Sequence, residues 1–158
     1  MNRLPRIKLA ALLLLFGLYN AVAAEVSLNT DDSGVLIHGY DPVSYFNGEP
    51  KRGNSALNTE YQGVKVYFSS DSNLYRFKAS PERYMPSYGG FCSYGVSMGQ
   101  KFDIDPEAYH VEGEQLYLLL DRSTKALWDM QREHNIGIAD RIWNSIRDVP
   151  SGTLAENQ

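Results

Sequence analysis

Apolar residues recur along this chain in short bursts, and their period changes from two to three and back again. Val35-Leu36-Ile37 follows the polar string Asp31-Asp32-Ser33-Gly34 and reads as a short strand. Val64-Lys65-Val66-Tyr67-Phe68 alternates, with Lys65 turned to water, and faces Glu60-Tyr61 across Gln62-Gly63. A two-residue turn with glycine second predicts a β-hairpin there. Tyr109-His110-Val111-Glu112 and Gln115-Leu116-Tyr117-Leu118-Leu119 surround Gly113-Glu114 and predict a second hairpin.

Between and after the hairpins the period lengthens. Leu74 and Phe77 stand three apart, as one helical face requires. Ser80-Pro81 opens a further short helix, and Asp41-Pro42 opens one or two turns over residues 42–46, each by a cap followed by proline at the first helical position. One terminal helix follows Asp121 or Ser123 and carries Leu127 and Trp128. A second follows Asn135 and places Ile138, Ile142 and Ile146 beside Ala139 and Trp143. The stretch 47–58 is rich in Gly, Asn, Ser and Pro and reads as loop. Short hairpins interleaved with short helices, with two helices at the C-terminal end, predict a single small α+β domain.

The chain's first 24 residues carry a different pattern. Arg3, Arg6 and Lys8 precede an apolar run from Leu9 to Tyr19 and the small-residue string Ala21-Val22-Ala23-Ala24, which is the layout of a secretory signal peptide. That run is about 11 residues, whereas a membrane-crossing helix needs about 20, so the expectation is export with cleavage before Ala24 or Glu25 and no stable membrane insertion afterwards. Residues 25–34 are then a flexible lead-in, 35–148 the domain, and 149–158 a disordered tail.

Charge and cysteine content narrow the function. The chain has fifteen Lys and Arg against nineteen Asp and Glu. Losing the three basic residues of the leader leaves twelve against nineteen, a formal charge of −7, which repels nucleic acid. There is one cysteine, Cys92, so no internal disulfide is possible and stability must come from packing, to which eleven tyrosines contribute. No dinucleotide fingerprint, phosphate loop or His-Glu-x-x-His motif is present.

Three blocks taken together resemble the YHS-domain family, in its branch of small exported bacterial proteins. They are Gly39-Tyr40-Asp41-Pro42-Val43-Ser44-Tyr45-Phe46, then Val66-Tyr67-Phe68 through Phe77 to Pro81-Glu82-Arg83-Tyr84, then Tyr88-Gly89-Gly90-Phe91-Cys92-Ser93-Tyr94-Gly95-Val96-Ser97. The resemblance implies a small α+β module located in the bacterial periplasm, and metal binding is the usual suggestion for the family. In metal-binding relatives a pair of cysteines occupies the positions that are Ser69 and Asn73 here, and neither residue supplies a thiolate.

Cys92 is thus the one soft anionic ligand in the chain. If a metal binds, Cys92 is the expected principal ligand, with His38 assisting and Met98 adding a thioether, a set that suits copper(I) better than zinc. Two other readings of Cys92 stand beside this one: a buried apolar residue, and the nucleophile of a thiol-dependent enzyme or redox protein. His110 and His134 share no helical spacing with His38. Asp103, Asp105 and Glu107 alternate and read as a solvated acidic turn. Tyr40, Tyr45, Tyr84, Tyr88 and Tyr94 cluster in the three blocks beside glycine-rich backbone. They could line a small-ligand site where segments 39–45 and 88–99 meet, or form ordinary core. A binding module for a metal ion or small ligand is the favoured class, because no complete catalytic constellation can be assembled.

Overall fold

A computed structural model describes residues 27–155; the expected leader lies outside them. The chain forms an α+β domain. Asn54–Tyr61 (β1) pairs antiparallel with Val64–Phe68 (β2), and Asp105–Glu112 (β3) with Gln115–Leu119 (β4). The helices are Asp71–Ala79 (α1), Pro81–Tyr84 (α2), Ser93–Ser97 (α3), Arg122–Met130 (α4), Arg132–Ile146 (α5) and Ser151–Ala155 (α6).

Both hairpins turn where the sequence places them. Gln62 and Gly63 adopt φ of 50° and 83°, the left-handed pair that continues the twist of the flanking strands. In β2, Val64, Val66 and Phe68 are buried and Lys65 is exposed, so one face meets the core. The far edge of β2 is covered by the segment before it: Leu36 N–H donates to the Lys65 carbonyl at 2.9 Å and Lys65 N–H to the Gly34 carbonyl at 3.0 Å. β4 is buried from Leu116 to Leu119 on both faces.

A two-stranded hairpin is marginal in water, so each needs a helix against its apolar face. Ser70 caps α1, accepting from Asn73 N–H at 3.2 Å, which aims Phe77 onto Phe68 with ring centroids 5.2 Å apart. Asp121 caps α4 through Thr124 N–H at 2.7 Å and so buries Trp128 against Tyr117, 5.7 Å between centroids. One hydrophobic cluster runs through both hairpins and includes Val66, Phe68, Phe77, Leu116, Leu118, Trp128 and Ala139.

Besides Val35-Leu36-Ile37, which makes isolated bridges and enters a 3-10 turn over Ile37–Gly39 where a strand is expected, the structure departs from the sequence reading at four places. β1 begins at Asn54, inside the stretch read as loop, because β2 supplies ladder partners that its polar composition does not announce; the register shifts between Asn54 and Asn58. α5 begins at Arg132, and Asn135 is no cap: it lies buried inside the helix, its amide donating to the Trp128 carbonyl at 3.2 Å.

The third departure is the lead-in. Residues 27–34 pack on the domain, with Leu28 and Asn29 buried and Asn29 N–H donating to the Gly89 carbonyl at 2.8 Å. The fourth is the tail, which forms α6 and places Leu154 against the core. Lys101 anchors the tail: its ammonium donates to the carbonyls of Arg147 at 2.6 Å and Val149 at 2.7 Å and lies 5.1 Å from the centroid of the Phe91 ring. Burial draws its pKa down to about 8.

The close approach of the N-terminal segment depends on Gly89. Its φ is +63°, and an added Cβ would stand 2.0 Å from the Ser27 carbonyl oxygen. Gly99 has φ of +77° but open space around the same position. Gly89→Ala is therefore expected to cost about 2–4 kcal/mol and Gly99→Ala about 1 kcal/mol, read from urea unfolding. Equal costs would show that Ser27 can move aside freely.

Candidate functional site

Asp41 is fully buried at 0% exposure, and its carboxylate is met by four donors. Oδ1 accepts from Val43 N–H at 2.9 Å, which closes the turn that proline 42 starts. Oδ2 accepts from Ser69 N–H at 2.8 Å, the Ser69 hydroxyl at 2.6 Å and the Asn73 amide at 2.6 Å. Ser69 closes β2 and Asn73 lies in the first turn of α1, so one side chain ties the 41–44 turn to the strand–helix junction. A buried acidic group costs several kcal/mol unless donors replace its hydration, and here they do.

Directly over this array lies a cleft of about 270 Å³ lined by Ser44, Asn47, Glu49, Lys51, Ser69, Ser70 and Asn73. Ser44 is held from below, its hydroxyl donating to the Asp41 carbonyl at 2.6 Å and accepting from Lys51 N–H at 2.9 Å. Lys51 and Glu49 form an exposed ion pair at 3.5 Å on the rim. The floor is rigid because its polar groups hold one another; the rim side chains are free to reorganise.

The sequence pointed elsewhere. Cys92 is 0% exposed, and its sulfur accepts N–H bonds from Gly95 at 3.4 Å and Leu120 at 3.3 Å. It caps α3 from inside the core, and burial pushes the thiol up despite those bonds, which is the opposite of what a nucleophile or thiolate ligand needs. Met98 is 52% exposed, and His38 is engaged at 2.8 Å by Asp103. Among the described residues no three His, Cys, Asp and Glu side chains gather as a metal ion would require. The sulfur expected as the principal copper ligand beside His38 and Met98 is thus engaged by two backbone donors.

The five tyrosines also separate. Tyr45 is buried edge-on against Tyr109, 5.0 Å between centroids, and donates to the Pro106 carbonyl at 2.8 Å; burial raises its pKa. Tyr84 meets Phe46 at 5.5 Å, and Tyr88 donates to Asp140 at 2.9 Å beside Tyr117 and Trp143. Tyr40 lies under the Arg52 guanidinium at 4.9 Å, and Tyr94 packs partly buried on the core. None of the five lines the cleft over Asp41. His38, just before segment 39–45, is linked to segment 88–99 through a chain of bonds in which Asp103 holds His38 and Asn29, and Asn29 donates to the Gly90 carbonyl at 3.2 Å.

The acidic trio disperses: Asp103 takes those partners, Asp105 accepts from Glu107 N–H at 2.9 Å, and Glu107 faces Arg122 at 3.8 Å. His134 is exposed on α5. His110 lies on β3, where burial and then the Arg132 charge push its pKa below 6.5. Sequence reasoning took Asp41 as a helix cap and Ser69 and Asn73 as lost ligands. Their i, i+4 spacing, with an aspartate set among apolar neighbours in Tyr40-Asp41-Pro42-Val43, was the available signal.

No protein-family model, curated protein or solved structure matches this chain.

Asp41→Ala leaves four buried or half-buried donors without this acceptor and is expected to destabilise by about 3–5 kcal/mol, while Ser69→Ala, which removes one of the four bonds to it, costs about 1 kcal/mol. Urea denaturation of both variants reads the difference, and similar values would mean the array relaxes around an empty Asp41 position.

A pH effect follows from His110. Its folded pKa lies below that of the unfolded chain, so the unfolded chain binds the extra proton in the window beneath about 6.5 and stability is lost as pH falls through it. The midpoint of urea unfolding should fall between pH 7 and pH 5 more in the parent than in His110→Gln. Parallel curves would remove His110 as the cause.

Proposed function

We propose that this chain is an exported binding module of the YHS type whose ligand is a small polar molecule held in the cleft over Asp41, Ser69 and Asn73. The observation that carries the reading is the fixed floor of that cleft. A carboxylate wholly withdrawn from water is used to lock a hydroxyl and an amide in one orientation at the base of an open, polar concavity. Groups held before the ligand arrives lose little freedom when it binds, which is how a small site gains affinity.

The same site gives the resemblance a physical content. The first block supplies Asp41 and the second supplies Ser69 and Asn73, the positions that carry cysteine in metal-binding relatives. Here the pair has become a hydrogen-bonding floor, which suits organic polar groups and hard oxygen or nitrogen atoms rather than a soft metal. Export to the periplasm rests on the leader sequence. Neither a copper site nor a thiol enzyme has comparable support, since the Cys92 sulfur is already engaged by two backbone N–H groups and a thiol enzyme also needs it to reach its substrate. Ser69 donates to a carboxylate, which is too weak a base to draw a proton from a serine hydroxyl, so the floor binds rather than reacts.

Mapping by NMR tests the reading. Adding a low-molecular-weight extract of the native compartment should shift the amide signals of Lys51, Ser69, Ser70 and Asn73 without chemical conversion of any extract component. Shifts centred on Cys92 or His38, or no shifts at all, would overturn it.

A further inference from the structure

We infer that the ligand of this cleft is a zwitterionic α-amino acid with a small polar side chain, bound with its ammonium on the Asn73 amide oxygen and its carboxylate toward Lys51. This rests on the binding-module reading and adds the class of ligand to it.

The argument is an account of which hydrogen-bonding valences the protein has already used. The Asn73 amide nitrogen has two hydrogens and gives both to the protein, one to Asp41 Oδ2 at 2.6 Å and one to Ser69 Oγ at 3.3 Å. That fixes the amide's orientation. Its oxygen has no partner within the protein although the residue is only 7% exposed, and Asn73 lines the cleft, so the floor offers an acceptor. Ser69 is spent in both directions, donating to Asp41 and accepting from Asn73. Ser44 is spent likewise between the Asp41 carbonyl and Lys51 N–H.

Donors remain as well. Ser70 Oγ accepts from Asn73 N–H and keeps its hydrogen to give; the Asn47 oxygen takes Arg76 at 3.1 Å and leaves its amide hydrogens free; Lys51 contributes an ammonium. The cleft lining therefore presents an acceptor in Asn73 and donors in Ser70, Asn47 and Lys51, the last of them cationic.

Charge sharpens this pattern into a class. Asp41 lies beneath the acceptor and pulls on the amide hydrogens, which makes the Asn73 oxygen more negative, and its own charge favours a cation above the floor. Lys51, on the rim, is paired with Glu49 at 3.5 Å and keeps further ammonium hydrogens for an anion. A molecule with an ammonium and a carboxylate on one carbon offers a group to each within a space of about 270 Å³. The lining contains only Ser, Asn, Glu and Lys, so nothing there would cover a large apolar side chain.

Titration calorimetry on the mature protein tests this with four probes: L-serine, lactate, which lacks the ammonium, ethanolamine, which lacks the carboxylate, and glycerol, which lacks both. Serine is expected to bind, with lactate and ethanolamine weaker by about tenfold or more. Lys51→Met, at an exposed position, should weaken serine by about tenfold and leave ethanolamine unchanged, a split that loss of folding would not produce. Lactate binding as well as serine, or serine binding indifferent to Lys51→Met, would overturn the inference. Silence of serine while the compartment extract still shifts the cleft signals would overturn the ligand class and leave the binding module standing; silence of both would remove both.

Discussion

A carboxylate removed from water exchanges its hydration for protein donors or it does not stay, and Asp41 makes that exchange with groups from three separate segments. Val43 N–H lies in its own turn, Ser69 follows β2, and Asn73 lies in the first turn of α1. Satisfying one buried carboxyl group therefore fixes the distance between the 41–44 turn and the strand–helix junction. It also makes the cleft: Ser44, Ser69 and Asn73 are held by Asp41 and by each other, and they form the floor. The donors outnumber what a neutral amide in the same place could accept, so the position demands an acid.

The turn that carries Asp41 is set up by backbone of unusual conformation. Ile37 and His38 have φ of 51° and 50°, followed by Gly39 at 81°. A β-branched residue in the left-handed region costs of order 1–2 kcal/mol and persists only where its surroundings over-determine it. Here Ile37 is 1% exposed in the core, His38 is held by Asp103, and Gly53 N–H closes on the Gly39 carbonyl at 2.8 Å. Burial of Ile37 and the bonds on either side offset the strain. The reversal delivers residues 40–44 to the edge of the first hairpin, with Asp41 N–H on the Lys51 carbonyl at 2.8 Å.

The second hairpin serves a different end. β4 is buried on both faces because α4 covers one side through Trp128 and the 87–97 segment covers the other, with Cys92 accepting the Leu120 N–H just past the strand. The glycine-rich block is thus a packing device. Its glycines let the N-terminal segment and Phe102 approach, as at Gly95, where a Cβ would stand 2.7 Å from the Phe102 ring. The same packing encloses the lone cysteine, whose sulfur accepts from two backbone N–H groups.

By itself the sequence determined the local elements. Alternation in 64–68, the Gln62-Gly63 and Gly113-Glu114 turns, the caps Ser70 and Asp121 and the three-residue spacing of Leu74 and Phe77 are encoded within a few residues of one another, and both hairpins, α1, α4 and the α+β class follow from them. Only the tertiary structure decided what depends on partners far along the chain. Asn54 belongs to a strand because β2 lies opposite, residues 27–34 are held because Gly89 admits them, and the tail is helical where Lys101 and Gln100 meet it. The site is of this second kind. Asp41, Ser69 and Asn73 are up to 32 positions apart, and only the i, i+4 spacing of the last two hints that one carboxyl group will need all of them, whereas Cys92, conspicuous in the sequence, is enclosed by the core and bonded by two N–H groups, one of them 28 positions away. Hydrogen-bond satisfaction of a buried group is a property of the folded surroundings, and sequence pattern reports it only after the fold has brought the donors together.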